Sequence, residues 1–220
     1  MTMIQFEDAR HLVEHCEKEL VRLREMHAQC LTERLIPPAF LIDVKNLMEN
    51  LRSALDYCAV ALFNAYGRQQ NRAPKIYFPY ARRDGDKRKF RETVERCIPG
   101  LLASRPDIVD RLETYQHFGN TGDWLSTLAE ITNENKHLRL TPQVVKQYTA
   151  VVISGTLPPG GNVEIDLKRI PLGGGLGSPF HAVAGVWMGL EFDGSGVLVM
   201  PLLEQAVPQI RRVVEELAGL

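Results

Sequence analysis

The sequence contains no apolar run near the roughly 18 residues that a membrane-spanning helix needs, so no candidate span is present. It has no CxxC pair. Its four cysteines, Cys16, Cys30, Cys58 and Cys97, are scattered, and all but Cys97 fall within helical apolar patterns, where a free thiol acts as a small hydrophobe. Reduced thiols, no metal cluster and no cofactor are therefore expected. The opening MTMIQFEDARH lacks the basic-then-apolar order of a signal peptide, and a cytoplasmic location away from membranes is the expectation. Internal repeats and low-complexity tracts are missing. PLGGGLGSPF, residues 171–180, has neither a Gly-Lys-Ser/Thr ending nor a complete G-x-G-x-x-G, so it reads as a loop between two predicted strands instead of a phosphate cradle. A Gly-x-Ser-x-Gly elbow is missing too.

What is there is enough for a real core: 220 residues, 45% apolar and 24% charged, the composition of one large domain or of a domain with a substantial extension. The net charge of −1 hides a polarity along the chain. Residues 68–91 hold nine Lys and Arg against Asp84 and Asp86, +7 in all, which leaves −8 for the remainder. Tyr77, Phe78, Tyr80 and Phe90 lie among these cations, a mixture suited to holding phosphates while stacking bases. Arg82, Arg83, Lys87 and Arg88 are the candidate RNA contacts. The competing reading is a solvated inter-helix loop whose Phe-Pro-Tyr aromatics anchor it to the core.

Apolar residues at Phe6, Ala9, Val13, Cys16, Leu20, Leu23, His27 and Cys30 alternate spacings of three and four, a helical seam of coiled-coil type. Pro37-Pro38 ends it, and Pro38 suits the first turn of a second helix. That helix carries Phe40, Val44, Leu47, Leu51, Leu55, Cys58 and Leu62 on one stripe and ends at Gly67. A short connection predicts antiparallel packing, and the amount of apolar surface predicts a homodimer through these helices. FRETVERCI, PDIVDRLETYQ and TGDWLSTLAEITNENKH read as three further helices, the last capped by Thr121 or Asp123. After Pro142 the period becomes two in QVVKQYTAVVI, NVEIDLKRI, AVAGVWMGLEF and GVLVMPL, with Asp193-Gly194-Ser195-Gly196 as a hairpin turn. Pro208 then opens a last helix, QIRRVVEELA, placed to cover the sheet. The expected class is α+β: an antiparallel helical bundle over 1–140, then a four-stranded antiparallel sheet with a closing helix over 141–220.

The helix ending in EITNENKHLRL concentrates polar chemistry. Trp124, Leu128, Ile131, Asn135 and Leu138 share its apolar stripe, while Glu130, Asn133, Glu134 and His137 share a neighbouring face. Asn135 needs partners if buried. His137, one turn beyond Asn133, can transfer a proton or switch charge, or simply meet the negative end of the helix dipole together with Lys136. Lys45, Glu49, Arg52 and Asp56 form a ladder of three- and four-residue spacings. It is either a solvated salt-bridge face or, through Arg52 and Asp56, one wall of a polar pocket shared with Asn135 and Lys136. HLVEH, residues 11–15, matches H-x-x-E-H. It starts ten residues into the chain without preceding strands and lies on the polar side of a regular amphipathic helix, so a zinc peptidase is disfavoured. His27 sits on the apolar seam, where a lone histidine is most often a hydrogen-bonded core residue.

NLRSALDYCAVAL on a long helix, the Phe78-Pro79 pair and a helix ending in NENKH together resemble bacterial helical-bundle proteins of the HEPN kind (higher-eukaryote and prokaryote nucleotide-binding), over roughly residues 1–140. The resemblance implies RNA chemistry: catalytic members cleave RNA with an Arg, four to six residues, then a His, often with Asn directly after the Arg. Asn133 and His137 match that Asn and His, but Thr132 stands at the Arg position. A hydroxyl cannot bind and stabilise a scissile phosphate as a guanidinium does. The expectation is a non-cleaving protein with an RNA-associated or interaction role. The alternatives are a weak metal-independent ribonuclease using His137 and Asn133, and a non-enzymatic homodimeric scaffold.

Overall fold

The computed structural model describes residues 2–69, 74–119, 122–137, 143–154, 181–192 and 195–220, with side chains at 4–69, 74–119, 122–133, 189–192 and 195–220. Two long helices open the chain, α1 (Thr2–Glu33) and α2 (Pro38–Tyr66). The stripes expected of them are buried: Ala9, Cys16 and Leu23 on α1, and Phe40, Leu51, Leu55 and Cys58 on α2, have essentially no exposure. Cross-contacts run His27 to Phe40, Arg22 to Asp43 and Cys16 to Leu47, so residue numbers fall on one helix as they rise on the other and the pair is antiparallel. At Gly67 the N–H closes onto the Phe63 carbonyl at 2.8 Å, and any Cβ there would collide with the Phe63 ring.

A connecting segment leads to α3 (Lys87–Cys97), capped by Asp86, whose carboxylate accepts the Lys89 N–H at 2.8 Å. The bond to Lys89 holds the Asp86 carboxyl below its usual range. The short α4 (Leu101–Ser104), α5 (Pro106–Thr114) and α6 (Trp124–His137) follow. Gly100 has φ 87° and lies against Arg68, close enough that a Cβ would sit 2.7 Å from the Arg68 backbone nitrogen; only glycine suits both demands. Asp123 precedes α6, and its carbonyl accepts the Thr127 N–H at 2.9 Å, while Thr121 lies outside the described residues. β1 (Gln143–Ser154) and β2 (His181–Phe192) pair antiparallel from Gln143 opposite Phe192 to Ser154 opposite His181. The two-residue β3 (Val197–Leu198) adds to the base of β2.

The last quarter departs from expectation. GVLVMPL is not a strand beyond Leu198: α7 (Val199–Ala218) begins there, and Pro208 lies inside it instead of opening it. The apolar residues Val199, Leu203, Val207, Ile210, Val214 and Leu217 keep helical spacing through the proline and are all buried. Burying that stripe outweighs the backbone bond Pro208 cannot make. Pro201 sits in the first turn, where its missing N–H would have had no intrahelical partner. The helix does not merely cover a sheet. It packs against α1, α2 and α6 as well as β2, within one hydrophobic core that joins both sides of the boundary expected at 140. The α1 seam that suggested a dimer is thereby covered within a single chain. The strand expected at 162–170, the loop at 171–180 and residues 193–194 of the turn lie outside the described residues. Among the described helices none is long and apolar enough to cross a membrane.

Three ion pairs set the register of α7 against α1: Arg10 with Glu215 at 2.9 Å, Glu17 with Arg211 at 2.5 Å, and Arg24 with Glu204 at 2.8 Å. The α1 members recur every seven residues with alternating sign, flanking the seam as coiled-coil charges do. The hydrogen bonds to Arg211 and Arg10 hold the Glu17 and Glu215 carboxyls below their usual range.

Candidate functional site

On the other side of α2 lies a cleft of about 910 Å³, walled by α2, the segment from Tyr77 to Gly85, α3 and Asn133 of α6. Arg52 of α2 is its buried charge, with a side chain only 9% exposed. This overturns the solvated-face reading for Arg52, although Lys45 and Glu49, two turns and one turn earlier, do form a part-exposed pair at 2.9 Å. Asp56 accepts the Phe78 N–H at 2.8 Å, and Arg52 Nη2 reaches toward the Phe78 carbonyl at 3.4 Å. One residue thus has both backbone groups addressed by α2. Phe78 itself is buried, as the anchoring reading of the Phe-Pro-Tyr run expects. Ala81 N–H donates to Gln116 Oε1 at 2.8 Å, which ties the same segment to the end of α5.

Tyr80 links the pieces. The Arg52 guanidinium lies 5.1 Å from its ring centroid, a cation–π geometry, and its hydroxyl accepts a hydrogen bond from Asn133 Nδ2 at 3.2 Å. The guanidinium is still incompletely bonded. Its Nε is 3.7 Å from Asp56, and Nη1 is buried without a hydrogen-bond partner among the described residues. A buried donor left unpaired costs about 1–3 kcal/mol, more for a charged group, so the contacts to Asp56 and Phe78 leave part of the guanidinium's bonding capacity unused among the described residues. Cys97 also lines the cleft. Burial raises its thiol pKa, against the lowering by Arg96 and Arg52, and it stays protonated near neutral pH, which argues against a thiolate nucleophile.

Of the expected polar pocket, the structure brings Arg52 and Asp56 to one cleft, which the candidate catalytic Asn133 also lines. The side chains of Asn135, Lys136 and the candidate catalytic His137 lie outside the described residues. Thr132 is fully buried, and its hydroxyl donates back to the Leu128 carbonyl at 2.5 Å; the position where an arginine would be needed points into the core.

The four expected RNA contacts are all exposed and face different neighbours. Arg82 lines the cleft beside Asp84. Arg83 turns to α6, donating to Thr127 Oγ1 at 2.9 Å and facing Glu130 at 3.5 Å. Lys87 pairs with Glu113 of α5 at 3.6 Å, as Arg91 does with Glu113 and Asp110 at 2.6 and 2.7 Å. Arg88 lies in a separate groove with Lys87, Arg91 and Leu102. Coiling residues 87–97 into a helix spreads consecutive cations over different faces. The cleft instead receives Lys89 and Arg96, seven residues apart on one face of α3. That spacing was the available signal, and a charge window ending at Arg91 conceals it.

His11 and His15 are exposed on the polar side of α1, and no group of three His, Cys, Asp or Glu side chains able to hold a metal occurs among the described residues. No protein-family model, curated protein or solved structure matches the chain.

Proposed function

We propose that this chain is a HEPN-like helical-bundle protein that associates with RNA without cleaving it, and that the Arg52 cleft is where it does so. The observation that carries the reading is a nine-tenths-buried guanidinium whose Nη1 has no hydrogen-bond partner among the described residues, lying against Tyr80 in the wall of an open cleft. Lys89, Arg96 and the half-exposed Tyr77 lie around the same cleft and supply the phosphate-plus-base chemistry that single strands require. Against cleavage stands Thr132, which is buried and bonded to its own helix where the resemblance calls for an arginine.

The test is binding of a short fluorescent oligoadenylate at several salt concentrations, with the RNA recovered and sized afterwards. Affinity falls as salt rises, because the protein's cations replace counterions, and the RNA is recovered intact. Lys89→Ser with Arg96→Ser weakens binding about tenfold or more, whereas Arg88→Ser, in the other groove, has little effect. Binding that is absent at low salt or indifferent to the cleft variants overturns the reading in favour of an interaction module. Cleavage abolished by His137→Ala overturns its non-cleaving part.

A further inference from the structure

The α1 seam is buried and apolar at Phe6, Ala9, Val13, Cys16, Leu20, Leu23 and Cys30. His27 is its one titratable imidazole, half-buried, with its ring centroid 6.5 Å from that of Phe40 on α2. It makes no hydrogen bond among the described residues, so it is not the bonded core histidine that such a position most often holds.

Its place in the fold gives that oddity a consequence. His27 lines a cavity of about 350 Å³ where α1, β2, β3 and α7 meet, with Leu190, Leu198 and Met200 in the same wall. Here β2 packs on α1 and α7, and Leu190, Phe192 and Met200 are buried in the junction. Two charged side chains face the cavity. Arg24 stands one turn before His27 on α1, and Glu204 of α7 is already engaged with it at 2.8 Å, on a rim where both are about half exposed. From α2 the neighbour is the Phe40 ring, and from β3 it is Leu198. Glu191 of β2 is directed to the turn, where its carboxylate accepts the Gly196 N–H at 3.2 Å. Cys30, one turn after His27, has a thiol whose pKa is raised by burial, so it is neutral. A proton on His27 therefore sets a second cation beside Arg24 in largely apolar surroundings. Burial disfavours the charged ring, against a smaller opposing effect from Glu204.

We propose that this junction is an acid-sensitive joint, in which protonation of His27 releases the base of the β1–β2 ribbon from α1 and α7 while the helices stay packed. The sign follows from solvation. An open joint gives the imidazolium water and the closed joint does not, so the proton binds the open form more tightly and acid shifts the equilibrium toward it. Opening begins as pH falls through the ordinary histidine value of about 6.5. It grows by up to about tenfold for each further pH unit, until the closed form takes up the proton as well. The pairs of Glu17 with Arg211 and Glu215 with Arg10 hold through this range, because both carboxyls ionise below their usual values.

Methionine oxidation of the full chain by dilute hydrogen peroxide, mapped by mass spectrometry between about pH 7.5 and 5.5, reads the joint. Met200 lies in the junction, and the fully buried Met48 of α2 is the internal control. A thioether does not titrate, so its rate of conversion to the sulfoxide follows exposure. Met200 oxidation is expected to rise by up to about tenfold per pH unit below about 6.5, with Met48 unchanged. His27→Gln removes the rise. Glu204→Gln extends it to lower pH, since the carboxylate that favours the charged ring in the closed joint is gone. Should His27→Gln leave Met200 open at every pH, the course of Glu204→Gln decides, and one identical to the parent's overturns the joint. So do a flat Met200 profile, a rise that persists in a folded His27→Gln protein, and a parallel rise of Met48, which marks unfolding of the whole core.

Discussion

The bundle of α1, α2 and α7 and the cleft on the far side of α2 treat arginine in opposite ways. Arg10, Arg24 and Arg211 lie at the water-facing rim of the α1–α7 contact, each with a carboxylate partner at 2.5 to 2.9 Å. Arg52 is almost wholly buried, with longer contacts and an Nη1 that has no hydrogen-bond partner among the described residues. Rim pairs choose register at little energetic risk, because water can take over either charge if the partner moves. A buried charge has no such fallback. Where a fold keeps a guanidinium in that condition beside an open cleft, stability is the weaker explanation and a ligand the stronger one.

The comparison breaks hardest at the shared core. Ile210→Ala in α7 removes a fully buried side chain and should destabilise the chain by about 2–5 kcal/mol in urea unfolding. A loss below 1 kcal/mol would mean that α7 does not belong to the bundle core. On the cleft side, Asp56→Ala removes the acceptor of the Phe78 N–H and the charge facing Arg52, for a loss of about 1–3 kcal/mol. Arg52→Met, by contrast, should leave the melting temperature unchanged or raise it, since it replaces an under-bonded buried charge by an apolar chain of similar length. A large fall in Tm would make Arg52 a structural residue.

A pH titration sharpens the same contrast. Burial among α1, α2 and the start of α7 lowers the His27 pKa below its ordinary 6.5, against the raising effect of Glu204. The unfolded chain therefore takes up the proton more readily. The associated stability is present above the unfolded pKa and is lost as pH falls through that value toward the folded one. Tm should decline as pH drops below about 6.5, and His27→Gln should flatten that part of the profile. An unchanged profile would mean that His27 is hydrated in the fold. The smallest effect is expected at the rim: Arg10→Ala, with Glu215 left in water, should change stability by less than about 1 kcal/mol, and added salt should shrink the difference.

The sequence by itself determined the elements whose burial depends on one helix alone: the α1 seam, the α2 stripe, the α6 helix and the two β-branched runs of the ribbon. A stripe at helical or strand spacing must bury one face wherever it lands, so period is enough to locate it. Near Val199 that logic ran out, because VLVMPLL satisfies either period, and only the groove offered by α1 and α2 made the helix the better burial. The cleft was half legible. Arg52, Asp56 and Asn133 stood out as polar groups beside apolar stripes. The sign of Arg52's exposure, the turning of Arg83 and Lys87 toward α6 and α5, and the entry of Lys89 and Arg96 into the cleft were decided by tertiary structure. For Arg83 and Lys87 the carboxylate partner lies on another helix, Glu130 of α6 and Glu113 of α5, and no spacing within their own segment names it.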